Sequence, residues 1–99
     1  MSNAASAAST PLFPLGGLYA TPGAIEALRE AGQEAGEFLR RHQYGDWGDL
    51  SDDDKQENDF SASRSLRVFS AYYTKVGMKL WVITEADRSA TTVLLPSEY

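Results

Sequence analysis

Thr84-Glu85-Ala86-Asp87-Arg88-Ser89 places two carboxylates, a guanidinium and two hydroxyls within one short stretch. A Glu and an Arg at the edge of a sheet could act as general base and phosphate clamp. The same residues suit a hairpin turn. Asp87 and Ser89 are ordinary turn formers, and Glu85 and Arg88 can pair across the turn. Thr84, Glu85, Asp87 and Arg88 are therefore candidates for a structural network first and for a site second.

The other chemical groups are more thinly spread. Asp46, Asp49, Asp52, Asp53, Asp54, Glu57 and Asp59 face Lys55 alone between positions 46 and 59. A calcium loop starting at Asp46 would need oxygen ligands where Gly48 and Leu50 stand, and a Gly where Ser51 stands, so no metal site is expected. Asp46, Trp47, Asp49, Asp52, Asp53 and Asp54 instead form a candidate interaction surface, with charge concentrated beside an aromatic. His42 is the single histidine and follows Arg40-Arg41, where positive charge would favour a helix C-terminus. The chain has no cysteine. A Cys/His nucleophile pair and a thiolate zinc site are thereby excluded, and no sequence around any serine supports a Ser-His-Asp triad. Gly16-Gly17 and Gly45/Gly48 lack the spacing and the Lys-Ser/Thr of a phosphate loop. No cofactor is implied.

The elements that must position these groups follow from local signals. Met1 to Pro14 is Ala/Ser-rich and then Pro-rich, and is expected to be a disordered tail, with Ser2-Asn3-Ala4 resembling an expression-tag remnant. Residues 15–99 then form one α+β domain. Leu18 to Ala20 suits a short strand. Thr21 as N-cap, Pro22 at the first helical position and Gly32 as stop predict a helix over 22–31, with Ile25 and Leu28 as its apolar pair. A second helix spans 34–43, with Ala35, Phe38, Leu39 and His42 on one face. Ser51 and Asp54 match a capping box that starts a third helix over 52–61, polar except for Phe60. Alternating and β-branched residues then predict a three-stranded antiparallel meander over 66–73, 79–85 and 91–95.

The net charge of −5 argues against non-specific nucleic-acid binding, which draws on basic charge. No run approaches the roughly 20 apolar residues of a membrane span. With no signal-peptide pattern, a cytoplasmic location is expected. The exposed face and edges of the sheet would favour a homodimer.

Gly45-Asp46-Trp47-Gly48, Ser70-Ala71-Tyr72, Trp81 to Pro96 and Glu98-Tyr99 together resemble a family of small uncharacterised bacterial proteins, often labelled plasmid-related. The resemblance covers roughly Leu15 to Tyr99. It implies a bacterial source and no activity. The element order is also similar to that of RelE/ParE-type toxins, which cleave messenger RNA or inhibit gyrase, although no toxin motif is matched residue by residue. Three functional expectations result. The first is a non-enzymatic interaction or accessory protein whose acidic surface meets another protein, in particular a basic one. The second is a toxin-like ribonuclease or translation inhibitor using Arg67, Tyr72, Glu85 and Arg88. The third is an acidic decoy of DNA for a DNA-binding enzyme.

Overall fold

A computed structural model describes residues 10–99. The expected tag remnant and most of the expected tail fall in residues 1–9, outside the described residues. Within the described residues the tail boundary is corrected. Phe13 is buried, and the Leu12 N–H donates to the Gln43 carbonyl at 2.9 Å, so residues 12–14 belong to the domain.

The elements in chain order are β1 (Gly17–Ala20), α1 (Pro22–Ala31), α2 (Ala35–Gln43), α3 (Asp52–Ala62), β2 (Val68–Tyr73), β3 (Lys79–Thr84) and β4 (Ala90–Leu94), then a 3₁₀ turn over Pro96–Glu98. The fold is α+β. The meander is present, but β1 joins it as a fourth strand, giving the order β1-β4-β3-β2 with β1 parallel to β4. Two bonds flank that pairing, from Gly17 N–H to Ser89 O at 3.0 Å and from Thr21 N–H to Val93 O at 3.0 Å.

Local chemistry explains the helix limits. Thr21 Oγ accepts from the Ala24 N–H, Pro22 opens α1, and Gly32 closes it at φ 66°, a conformation that favours glycine. The buried stripe of α1 is Ala24, Ala27, Leu28 and Ala31, while Ile25 is 55% exposed. Small residues, not the larger Ile25, let α1 approach β4. In α2, Phe38 and His42 are buried, as their shared face predicts. In α3, Ser51 Oγ accepts from the Asp54 N–H at 3.1 Å. Phe60, expected to anchor that helix, is 50% exposed.

Polar bonds hold α3 instead. Asn58 Nδ2 donates to Phe69 O at 2.6 Å, and Asn58 Oδ1 accepts from Phe69 N–H at 3.3 Å. Asp59 accepts from Trp47 Nε1 at 2.9 Å. An amide side chain can satisfy a strand's outward backbone as a neighbouring strand would, and this is why a polar helix docks there.

The helices cover one face of the sheet. Ala24, Ala27, Leu28, Phe38, Tyr72, Leu80, Val82 and Val93 form the main core, and Phe13, Trp47 and Val68 a second, smaller one. Among the described residues, no helix is long and apolar enough to cross a membrane.

Candidate functional site

Strand alternation puts Ser70, Thr84 and Thr91 on the helix-facing side, and α2 puts His42 over them; each is 0% exposed. Ser70 Oγ lies 2.6 Å from His42 Nδ1, and His42 Nε2 lies 2.9 Å from Thr84 Oγ1. Thr84 Oγ1 lies 2.7 Å from Thr91 Oγ1, which donates to the Leu15 carbonyl at 2.7 Å. A carbonyl can only accept, and each hydroxyl has one proton, so the whole chain has one direction. Thr91 spends its proton on Leu15. Thr84 must then donate to Thr91, and His42 Nε2–H must donate to Thr84. Nδ1 is left bare and accepts from Ser70.

A serine hydroxyl donating to a bare imidazole nitrogen is the contact that activates nucleophilic serines. Here the outer nitrogen faces a threonine rather than a carboxylate. Phe13 and Trp47 close over the ring, with T-shaped contacts to His42 at centroid distances of 5.3 Å and 6.0 Å. Burial, reinforced by the Arg88 guanidinium, lowers the His42 pKa from 6.5 to about 3. The expectation that His42 contributes positive charge at a helix end is thereby corrected: the ring is neutral and internal. The relay joins α2, β2, β3, β4 and the N-terminal segment, and with both reacting atoms sealed it serves as a structural core.

The turn residues divide between several tasks. Thr84 is a relay member. Asp87 Oδ1 accepts from the Ser89 N–H at 3.0 Å, and hydrogen bonds from Ser89 hold its carboxyl below the ordinary range. Arg88 adopts φ 61° and donates to five backbone carbonyls: Leu66 at 2.6 Å, Ser61 at 3.0 Å, Glu85 at 3.2 Å, Ala62 at 3.3 Å and Ala86 at 3.5 Å. It closes the C-terminal end of α3, where cations are favoured, and lies 5.1 Å over the Phe13 ring. The expected Glu85–Arg88 side-chain pair is replaced by this clamp, and the Glu85 carboxylate instead sits 4.0 Å from Arg67.

The catalytic set suggested for a toxin is accordingly divided. Arg67 and Glu85 meet at the open face of the sheet. Tyr72 lies on the helix-facing side, 1% exposed, with its hydroxyl donating to Asp46 O at 2.6 Å and its pKa raised by burial. Arg88 is occupied by carbonyls.

The acidic surface also contracts. Trp47 is 3% exposed, so it is an interior anchor and not part of an accessible surface. Asp46 pairs with Arg41 Nε at 2.7 Å, and Asp49 lies 3.9 Å from Lys79. Asp52, Asp53, Asp54 and Glu57 are exposed on α3, and no cation lies within ion-pairing distance of them among the described residues. No three His, Asp or Glu side chains are grouped to hold a metal among the described residues.

The open face carries a feature that the sequence reading did not assemble. Arg67, Phe69, Trp81, Ile83 and Tyr99 line a cleft of about 300 Å³. Trp81 makes T-shaped contacts with Phe69 and Tyr99 at 5.0 Å and 5.7 Å, and Arg67 donates to the Tyr99 hydroxyl at 2.7 Å. Strand alternation could have grouped Phe69 with Trp81, but only the fold-back of the chain after Pro96 adds Tyr99.

Comparison with protein families, with curated proteins and with solved structures finds no match.

Proposed function

We propose that this is a non-enzymatic interaction protein whose partner carries a basic surface and docks on the exposed side of α3. The observation that carries the reading is the set Asp52, Asp53, Asp54 and Glu57. These four carboxylates stand exposed, with no ion-pair partner among the described residues, on a helix that Asn58 and Asp59 hold to the domain. The neighbouring carboxylates Asp46, Asp49 and Asp59 are engaged with Arg41, Lys79 and Trp47. The free charge is therefore a compact patch rather than an extended row, which favours a protein partner over mimicry of DNA. Such a complex should be salt-sensitive. The test is affinity capture from extract of the source cells, comparing wild type with Asp52→Lys/Asp53→Lys/Asp54→Lys. Specific partners should be retained by the first and lost by the second; an unchanged set of partners would rule out α3 as the interface.

A second reading is favoured by one observation, the approach of Arg67 to Glu85 at 4.0 Å beside the half-buried rings of Phe69 and Trp81. Aromatic faces stack bases and an arginine can hold a phosphate, so a toxin-like ribonuclease would place its substrate there. Induced expression in a bacterial host with normal growth, together with no RNA cleavage in vitro, would remove this reading.

A further inference from the structure

The two edges of the sheet are treated differently. On the outer edge of β2, Asn58 satisfies both backbone groups of Phe69. The loop before α3 satisfies those of Ala71, which donates to Trp47 O at 3.2 Å and accepts from Asp49 N–H at 2.6 Å. That loop can come so close only because Gly48 has no side chain. A Cβ there would lie 2.0 Å from Ala71 O, and the residue sits at φ 77°.

The outer edge of β1 has no such cover among the described residues. Gly17 and Thr21 donate inward to the carbonyls of Ser89 and Val93. Backbone groups alternate sides along a strand, so those of Leu18 and Ala20 face outward. All four β1 residues are exposed, with Leu18 at 58% and Tyr19 at 61%. Natural edges are commonly guarded by charge. Here the first charged side chain in the whole sequence is Glu26.

We propose that β1 pairs antiparallel with β1 of a second copy, merging two four-stranded sheets into one continuous sheet. The geometry is self-complementary. A two-fold axis at Tyr19 sets Leu18 opposite Ala20 of the other copy, and each such pair exchanges two backbone bonds. Tyr19 then faces its own counterpart in the intervening non-hydrogen-bonded position. The register of β1 with β4 sets Leu18 on the same face as Thr91, the helix side, where Ile25 in the first turn of α1 is also 55% exposed. A second copy suits this edge because the opposed residues are all neutral, in a protein that otherwise carries −5 and repels itself. Glu98, a carboxylate at the Thr21 end of this strand, is bonded to Thr21 Oγ and to the N–H groups of Gly23 and Leu95. A short strand makes a small interface, so the association is weak and concentration-dependent.

Disulfide trapping in the full chain tests this. The protein has no cysteine, so any disulfide formed by a single-cysteine variant links two copies. Tyr19→Cys brings two Cα atoms to about 4.5 Å, within disulfide reach, whereas Leu18→Cys faces Ala20 and leaves its counterpart beyond it. Under mild oxidation Tyr19→Cys should cross-link at least about tenfold faster than Leu18→Cys, and adding Ala20→Pro, which removes an outward donor, should abolish that advantage. Sedimentation of the wild type should show mass rising with concentration. Equal cross-linking rates, an advantage that survives Ala20→Pro, or a protein that stays wholly monomeric at about 1 mM, where even a pair with a dissociation constant of about 1 mM is substantially associated, would each overturn the proposal.

Discussion

On the helix-facing side of the sheet, His42, Ser70, Thr84 and Thr91 are sealed beneath Phe13 and Trp47, and every polar atom has a partner. On the opposite side, Arg67, Phe69, Trp81 and Tyr99 remain partly open, and Tyr99 is 69% exposed. The Ser–His pair thus lies away from solvent, while Arg67 and the aromatic rings of the open face border it. Residue type alone does not separate the two roles. A Ser–His pair reads as a nucleophile in one environment and as a core network in another, and burial decides between them.

The contrast can be broken first at its sealed side. His42→Ala should cost about 3–5 kcal/mol in denaturant unfolding, because it leaves a cavity and strips Ser70 and Thr84 of a partner. A loss below about 1 kcal/mol, the scale of an ordinary surface substitution, would mean that the relay is not a core network. Next comes the clamp that fastens the relay's turn to α3. Arg88→Ala should cost about 2 kcal/mol, since five carbonyls lose a charged donor and the φ 61° conformation loses its restraint. Glu85→Ala should change stability far less, as that carboxylate is exposed and only loosely paired. At the open side the effect is smallest. Tyr99→Ala should cost less than about 1 kcal/mol while enlarging the cleft, measurable as increased quenching of Trp81 by an added quencher. Trp47, buried on the other side, serves as the unaffected reference.

How much of this was legible in the sequence depended on the range of the forces involved. Thr21, Pro22, Gly32 and Ser51 act on their immediate neighbours, so the starts of α1 and α3 and the end of α1 could be placed from composition alone. The alternation from Leu66 to Tyr73 likewise marked a strand, although β2 begins only at Val68. His42 could be placed on the buried face of α2, but its partners could not. Ser70 is 28 residues away and Thr84 42 residues away, and their meeting depends on strand register and helix docking. Phe13 was missed because its Pro/Gly-rich surroundings carry no periodicity. Phe60 is the one large apolar residue of α3 and so the expected anchor, but the anchoring contact comes from Asn58, whose amide meets a strand edge. The acidic patch was visible as charge, but its division into engaged and free carboxylates required Arg41, Lys79 and Trp47 to be in place.

The sealed relay is tested most directly by following the His42 ring by NMR from pH 8 downward. The folded pKa of about 3 lies below the ordinary 6.5, so the unfolded chain binds a proton that the folded chain refuses. The contribution is therefore complete above about pH 6.5 and declines by a few kcal/mol as pH falls towards 3. The ring should remain neutral, with its proton on Nε2, down to about pH 4 or until the protein unfolds. Titration of His42 near 6.5 in a protein that stays folded, or a proton found on Nδ1, would contradict the account.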